Sequence, residues 1–179
     1  TAYEIRLSLV GSEMCIRDRF GVHSAMPMRM AKKLCPEAIV ISGDMESYSA
    51  YSAIVSELVS ERSPVFEKRS IDEFYVDLTG MERFFGCYKW ASETRQKVIN
   101  ETGLPISFGL SVNKLVSKMG TSKAKPNGQL QIEKGTEREF IAPMSVQKIP
   151  GVGEETAAHL YSMGVKTIKI LREIPVQLL

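Results

Sequence analysis

The spacing of hydrophobic residues along the chain predicts alternating helices and strands. Apolar residues at intervals of three and four mark amphipathic helices over 45–62 and 87–102. Apolar and polar residues alternate over 106–112, which predicts a strand, and β-prone runs at 65–70 and 74–78 predict a hairpin. This order is typical of an α+β protein with helices on one face of a sheet.

Local signals predict where several helices begin and end. Asp44 can cap the first long helix, and Gly103 can stop the second. Asn113 can cap a helix that runs to about Gly120, followed by a basic loop over 121–128 and a strand over 129–132. The buried face of the first long helix is predicted to contain Tyr48, Tyr51, Val55, Leu58 and Val59.

Shorter elements complete the pattern on both sides. A helix over 28–35 and a strand over 38–41 are predicted early in the chain, and a helical turn is predicted at 81–85. After residue 133 the chain becomes entirely helical, which places a domain boundary near 133–136. The helices predicted there cover 136–141, 145–148, 154–163 and 167–173.

Composition narrows the class of protein without deciding its function. The 179 residues are 44% hydrophobic and 25% charged, as in a soluble globular chain of one or two small domains. A net charge of +2 is too small to indicate a polyanionic partner, so a nucleic-acid surface would need clustered basic residues. Cys15, Cys35 and Cys87 lack metal-ligand spacing and indicate reduced thiols in the cytoplasm.

No candidate membrane span or histidine site stands out in the sequence. No apolar run reaches the length of a membrane span, so no membrane partner is expected. His23 and His159 have no neighbours at ligand spacing and are interpreted as structural or surface groups.

Asp72 and Glu73 are the strongest candidates for chemistry. Neighbouring side chains of a strand point to opposite faces, so these acids can share a ligand only where the chain turns. Two close carboxylates repel unless a cation compensates, and Mg²⁺ takes one or two carboxylates together with water and phosphate oxygens. The alternative is a solvated acidic turn without a ligand.

The segment Ile149–Gly153, Ile-Pro-Gly-Val-Gly, resembles the hairpin of a helix-hairpin-helix module. Its glycines allow backbone N–H groups to face outward beside a helix N-terminus, which suits a DNA phosphate. Such contacts carry no base specificity. The pattern Pro-Gly-x-Gly also occurs in ordinary turns. The flanking short helices favour the DNA-binding interpretation.

Lysines are concentrated between residues 114 and 125. Lys114 and Lys118 are one helical turn apart, a spacing suited to a face that follows a phosphate backbone. Lys125 precedes Pro126, which favours an extended backbone, and its ammonium would suit a triphosphate. A solvated helix face and loop is the alternative.

Four motifs together resemble a Y-family translesion DNA polymerase of the DinB kind. In order and spacing they match from Phe20 to the end, and the related UmuC-type polymerases are the nearest alternative. The motifs are Phe-Gly-Val-His-Ser-Ala-Met-Pro at 20–27, Ser-Ile-Asp-Glu-Phe-Tyr-Val-Asp at 70–77, Ser-Val-Asn-Lys at 111–114 with Lys-Pro-Asn-Gly at 125–128, and Ile-Pro-Gly-Val-Gly at 149–153.

The resemblance implies the architecture of a right-handed polymerase. Residues 20–43 would be part of a fingers domain and 44–133 a ferredoxin-like palm. Residues 134–179 would form a small all-α thumb with the helix-hairpin-helix module. The little-finger domain of such polymerases has no counterpart, and a sliding-clamp peptide would lie beyond Leu179.

The resemblance also implies roles for individual residues in two-metal nucleotidyl transfer. Asp72 would bridge two Mg²⁺ ions, and Glu73 would bind the ion that activates the primer 3′-hydroxyl. Lys125 would hold the phosphates of the incoming deoxynucleoside triphosphate. The hairpin residues Gly151, Val152 and Gly153 would contact the backbone of primer–template DNA.

Residues 1–19 depart from the family pattern. The expected aspartate-bearing strand, steric gate and Tyr-x-x-Arg motif are missing. Where the Tyr-x-x-Arg motif is expected, the chain has Cys15-Ile16-Arg17-Asp18. We therefore expect residues 1–19 to be a foreign or unstructured segment and the chain to be an inactive fragment.

Two other functions remain open from the sequence. The chain can act as a DNA-binding helix-hairpin-helix fragment without catalysis. It can also be another two-metal palm enzyme such as a nucleotide cyclase, although a cyclase gives no reason for a DNA-binding hairpin at 149–153.

Overall fold

Helices and short strands alternate through the residues that the structure, a computed structural model, describes. These are residues 4–6, 20–22, 26–63, 65–81 and 86–178. The mixed α+β class predicted from the sequence is confirmed. The helical turn predicted at 81–85 falls largely outside the described residues, as do Cys15 and His23.

The bounds of the elements, in chain order, are as follows. The strands are β1 Glu4–Arg6, β2 Ile39–Ile41, β3 Val65–Lys68, β4 Phe74–Asp77, β5 Phe108–Leu110 and β6 Gln129–Gln131. The helices are α1 Met28–Leu34, α2 Met45–Ser60, α3 Cys87–Thr102, α4 Lys114–Ala124, α5 Glu137–Ile141, α6 Glu154–Ser162 and α7 Ile168–Glu173. Short 3-10 turns occur at Val146–Lys148 and Val176–Leu178.

The chain divides into two compact units, Thr1–Val76 and Asp77–Leu179. The strands of the described residues pair in twos: β1 with β2, β3 with β4, and β5 with β6. The ferredoxin-like sheet and the boundary expected near 133–136 therefore stay predictions.

The first unit is built on α1 and α2. Val22, Ala31 and Cys35 form a small core beside α1. At the start of α2, Asp44 accepts a hydrogen bond from the Ser47 backbone N–H at 3.0 Å, which confirms it as the cap.

The face that α2 buries differs in part from the predicted one. Val55, Leu58 and Val59 are buried as expected. Tyr51 is 46% exposed, so its assignment to the core is wrong. Ser52 is buried beside it, because its hydroxyl reaches a backbone carbonyl outside the helix.

Three residues near the start of the chain form a strand. Glu4–Arg6 pairs in parallel with β2, with Ile5 opposite Val40. The expectation that residues 1–19 are a foreign or unstructured segment stays a prediction.

The second unit begins with β4's last residue and α3, whose bounds match the prediction. Gly103 follows α3 with φ 71°, a left-handed conformation that glycine adopts without strain, and so ends the helix. Thr94 and Val98 are buried on the inner face of α3. Trp90 is buried too, and the sequence analysis missed it.

Strand β5, helix α4 and strand β6 form a parallel βαβ unit. Phe108 lies opposite Gln129 in the β5–β6 pair. The Asn113 side chain caps α4 by accepting from the Val116 N–H at 2.9 Å. The helix runs on to Ala124, so the predicted end at Gly120 is wrong.

Gly109 allows α4 to lie directly on β5. A Cβ atom at Gly109 would stand 2.3 Å from the Ser117 carbonyl oxygen and 2.5 Å from the Thr121 nitrogen. Both are backbone atoms, which cannot move aside as a flexible side chain can. The Ser117 hydroxyl also donates to the Gly109 carbonyl at 2.5 Å. Only glycine therefore fits at position 109.

The helices after residue 140 pack around their own apolar centre. Val146, Leu160 and Val165 are buried there, with Ile149, Leu171 and Ile174 packed against them. Thr167 caps α7 through its hydroxyl, which accepts from the Ile170 N–H. The turn Ile149–Gly153 is thus held between short helices, as the sequence predicted.

Two smaller expectations can be compared with the described residues. Cys35 and Cys87 are free thiols, and His159 is exposed. Among the described helices, none combines the length and the apolar character that crossing a membrane requires.

Replacing Gly109 by alanine is expected to destabilise the protein by about 1–3 kcal/mol or more, the range for overpacked interiors. The reason is the collision of the new Cβ with the backbone of α4. Urea denaturation followed by circular dichroism measures the change. Gly153→Ser is the control, because a Cβ at Gly153 meets nothing within 4 Å. An equal effect of the two substitutions would contradict the close-packing interpretation.

Candidate active site and nucleic-acid interface

The acidic pair lies in the turn of the β3–β4 hairpin. The N–H groups of Arg69 and Ser70 both donate to the Glu73 carbonyl, at 2.9 and 3.2 Å. Strands joined by so short a connection must run antiparallel. The turn predicted at Asp72 and Glu73 is thereby confirmed.

The two carboxylates have different surroundings within this turn. Asp72 is exposed, and its Oδ1 accepts a hydrogen bond from the Ser70 hydroxyl at 2.7 Å. Glu73 is half-buried. Within the described residues no cluster of three or more His, Cys, Asp or Glu side chains is placed to bind a metal ion. Asp72 and Glu73 are the carboxylates that this turn offers to a metal ion, whose further ligands would be water and phosphate oxygens.

Ser52 of α2 holds the backbone directly before the acidic pair. Its hydroxyl donates to the Ile71 carbonyl at 2.5 Å. The Lys68 ammonium donates to the Ser52 hydroxyl at 2.7 Å and to the Ser56 hydroxyl at 3.1 Å. Sequence analysis missed this network; a serine on the apolar face of an amphipathic helix was the available signal.

Aromatic contacts stabilise the same hairpin. The rings of Phe66 on β3 and Phe74 on β4 stack with their centroids 5.4 Å apart. The Lys68 ammonium lies 5.7 Å from the centre of the Phe74 ring, within the range of a cation–π interaction. The turn that bears the carboxylates is therefore supported by contacts along both strands.

Asp77, at the end of β4, is a carboxylate that the protein keeps ionised. The Thr79 hydroxyl and backbone N–H donate to its Oδ1 at 2.6 and 2.9 Å. These hydrogen bonds, with a smaller contribution from the Lys114 charge, hold the pKa of Asp77 below its ordinary value.

Lys125 occupies the end of α4. Its backbone is extended, with φ −69° and ψ 145°, as predicted for a residue before proline. Its own N–H donates to the Thr121 carbonyl at 3.2 Å, which closes the last helical turn. The side chain is exposed, and within the described part of the chain no hydrogen bond or ion pair engages its ammonium.

Arg95 of α3 binds the turn that contains Lys125. Its Nε donates to the Ile106 carbonyl at 2.8 Å, and its Nη2 donates to the Asn127 carbonyl at 2.7 Å. The same nitrogen donates to Asn127 Oδ1 at 2.5 Å. A basic residue on a predicted helix was the one signal in the sequence for this contact.

The other lysines of the basic segment have separate surroundings. Lys114 is exposed in the first turn of α4, and Lys118 is half-buried one turn later. Lys123 lies within α4 and not in a loop, which corrects the predicted loop at 121–124. Its ammonium stands 5.2 Å from the centre of the Phe140 ring of α5.

The turn at 149–153 needs glycine at only one of its two glycine positions. Gly151 has φ 95°, a conformation that other residues rarely adopt. Gly153 has φ −80° and ψ 177°, which any residue can adopt. The Val152 N–H donates to the Ile149 carbonyl at 3.0 Å, closing the turn. Gly153 is the N-cap residue of α6, and without a side chain it accepts no hydrogen bond from the first N–H groups of that helix.

The chain belongs to the impB/mucB/samB family, whose family model matches residues 16–122. The predicted resemblance to a DinB-like Y-family DNA polymerase is confirmed.

Curated relatives of the chain carry the name DNA polymerase IV. The chain is 38% identical over 162 residues to DNA polymerase IV of Dehalococcoides mccartyi strain CBDB1, covering 90% of this chain and 42% of that protein. It is 35% identical over 151 residues to DNA polymerase IV of Treponema denticola, covering 84% and 38%. The chain therefore spans less than half the length of these relatives.

Solved structures with a similar fold belong to polymerases of the same kind. A DinB family error-prone DNA polymerase from Sulfolobus solfataricus has a TM-score of 0.84 at 25% identity, over 92% of this chain and 50% of that one. The insertion ternary complex of Dbh DNA polymerase has a TM-score of 0.78 at 25% identity, over 89% and 47%.

Removing the Thr79 hydroxyl is expected to raise the pKa of Asp77 toward its ordinary value of 3.8. A lowered pKa in the folded state adds stability above the unfolded pKa, and this stability is lost as the pH falls through the folded pKa. The loss of stability in Thr79→Val should therefore be largest near neutral pH and shrink in acid.

Carboxyl-carbon NMR titration of the wild type and of Thr79→Val measures this shift. Asp44 is the internal control, because its pKa is lowered by Ser47 and should be the same in both proteins. An Asp77 that titrates at its ordinary value in the wild type would contradict the proposed hydrogen bonds.

Proposed function

We propose that this protein works as a template-directed DNA polymerase of the error-prone translesion type. The observation that carries the proposal is the placement of Asp72 and Glu73 in one hairpin turn, in a chain that belongs to a polymerase family. The products would be an extended DNA primer and pyrophosphate.

The donor chemistry of the acidic turn fits Mg²⁺. Asp72 and Glu73 offer hard carboxylate oxygens, and Mg²⁺ prefers oxygen ligands with part of its shell left to water and phosphate. The Ser70 hydroxyl holds Asp72 Oδ1 from within the turn, so the second oxygen is left to face a ligand. Two Mg²⁺ ions, when bound, would stabilise the charge on the attacking and leaving oxygens of an in-line displacement.

The residues of the turn would have distinct tasks in that reaction. Asp72 would contact both metal positions, and Glu73 would contact the one nearer the primer 3′-hydroxyl. Ser52 would keep the Ile71 carbonyl fixed, so that the carboxylates are held in place before substrate arrives. This pre-organisation lowers the cost of ordering the site in the transition state.

Lys125 would serve the incoming deoxynucleoside triphosphate. Its exposed ammonium is a compact point charge suited to phosphate oxygens. The extended backbone before Pro126 directs it away from α4.

DNA would be bound through its phosphates by two surfaces of the second unit. Lys114 and Lys118 supply positive charge on α4, and Gly151, Val152 and Gly153 supply backbone N–H groups at the start of α6. Glu154 and Glu155 occupy the first turn of α6 and would oppose phosphates there. Binding by the turn alone should therefore be weak.

The finer architecture follows from the same proposal. Residues 20–43 would be part of the fingers, 44–133 a ferredoxin-like palm and 134–179 a helix-hairpin-helix thumb. A DNA-binding role without catalysis is the second candidate, and it is favoured by the glycine turn, which needs no metal ion.

Asp72→Asn and Glu73→Gln are each expected to weaken Mn²⁺ binding by roughly tenfold or more, since each removes a charged ligand. Electron paramagnetic resonance of Mn²⁺, titrated into the full chain, measures free and bound metal. The same variants should remove any primer extension that the chain shows with Mg²⁺ and the four deoxynucleotides.

Glu57→Gln is the matched control, because Glu57 is an exposed carboxylate of α2 in the same unit. It should leave metal binding unchanged. Wild-type metal affinity in Asp72→Asn would remove the basis of the catalytic proposal and favour the role in DNA binding alone.

Lys125 and Lys118 are expected to differ in what they bind. Lys125→Ala should weaken deoxynucleotide binding by about 1.5–3 kcal/mol, the range for a hydrogen bond to a charged group, and leave DNA affinity unchanged. Lys118→Ala should instead lower DNA affinity for all sequences. The salt dependence of DNA binding should fall by the amount expected for the loss of about one phosphate contact. Fluorescence anisotropy with labelled DNA and calorimetry with nucleotide separate the two. The reverse pattern would exchange the two assignments.

A further inference from the structure

The Arg95 guanidinium donates to three carbonyl oxygens, which belong to two residues far apart in sequence. One belongs to Ile106, just before β5, and two belong to Asn127, from its backbone and its side-chain amide. A guanidinium presents its N–H groups in a rigid plane, so it fixes the direction of several acceptors at once. Asn127 is thereby tied both to α3 and to the chain entering β5.

We propose that Arg95 is a positioning residue for the triphosphate of the incoming nucleotide, acting through the Lys-Pro-Asn-Gly turn at 125–128. This inference rests on the proposed function, in which Lys125 binds that triphosphate. Arg95 would make no contact with the nucleotide. It would instead fix the backbone position of Lys125, from which the side chain extends.

The backbone conformation of Asn127 shows why the turn needs such support. Its φ is 45°, in the left-handed region that non-glycine residues enter at a cost. Asparagine tolerates this region better than most residues, and here both of its oxygens accept from Arg95. The contact therefore holds an otherwise unfavourable conformation.

Other hydrogen bonds fix the turn on both sides of Lys125. On one side, the Lys125 N–H closes α4 on the Thr121 carbonyl. On the other, the Gly128 N–H donates to the Ser107 hydroxyl at 3.1 Å, and the Gly128 carbonyl accepts from Phe108 at 3.2 Å. The lysine backbone is therefore anchored while its ammonium stays exposed.

This arrangement matters for binding because lysine is a flexible side chain. A lysine loses much rotamer freedom when its ammonium is fixed on a phosphate. If its backbone were mobile as well, ordering the turn would cost further free energy on binding. Arg95 removes that second cost by ordering the turn in advance.

The first test measures binding of dATP with Mg²⁺ to the full chain by isothermal titration calorimetry. Arg95→Lys keeps the charge but loses the planar fork, and we expect it to weaken dATP binding about tenfold, as for the loss of one strong hydrogen bond. Amide hydrogen exchange at Gly128 should become faster in the same variant. Asn127→Gly, which keeps the backbone carbonyl and permits positive φ, should have a smaller effect on both.

A double-mutant cycle distinguishes positioning from a general loss of structure. If Arg95 acts through Lys125, Arg95→Lys should weaken dATP binding in the wild type and have little effect in the Lys125→Ala background. A purely structural role of Arg95 would instead give additive effects of the two substitutions on dATP binding. The unfolding temperature would then fall far enough to account for the weaker binding. Lys89→Ala is the control on α3, since Lys89 is 76% exposed and pairs only with Glu93 at 3.9 Å among the described residues. It should leave dATP binding unchanged.

The outcomes separate this inference from the proposed function. If Lys125→Ala weakens dATP binding and Arg95→Lys does not, the role of Arg95 is overturned and the nucleotide site stands. Additive effects in the cycle also overturn it. If Lys125→Ala has no effect, or the wild type binds no dATP, the nucleotide role of Lys125 fails and the inference fails with it.

Discussion

The contact between Gly109 and the backbone of α4 is the constraint on which the second unit depends. It brings the helix so close to β5 that a single methyl group would collide with three backbone atoms. At Gly120 of α4, an added Cβ would stand 2.6 Å from the Ile132 Cδ1 atom and 3.5 Å from the Gly109 Cα. Since α4 carries Lys114 and Lys118 and leads into Lys125, this contact sets where the basic residues stand.

Both sets of candidate site residues are supported by a side chain that binds a nearby backbone carbonyl. Ser52 binds the carbonyl of Ile71, one residue before Asp72. Arg95 binds the carbonyl of Asn127, two residues after Lys125. In each case the supporting residue comes from a long helix, and the supported residue lies in a turn. Rigid helices thus add side-chain support to both turns.

Sequence reasoning succeeded where the signal is local. Asp44, Asn113 and Gly103 act as predicted, because capping and left-handed termination depend on a few adjacent residues. It failed at Gly120, which was interpreted as a helix stop although its lack of a side chain leaves room for the Ile132 side chain. Arg95 could not be found, because its partners lie 11 and 32 residues away in sequence.

The position of Lys123 changes how the charge of this surface should be counted. Four lysines between 114 and 125 suggest four phosphate contacts, yet the Lys123 ammonium lies over the Phe140 ring. Each phosphate that a protein neutralises releases about 0.9 counterion from duplex DNA. The ion release on DNA binding should therefore be smaller than the number of lysines suggests, because part of the charge is already engaged within the protein.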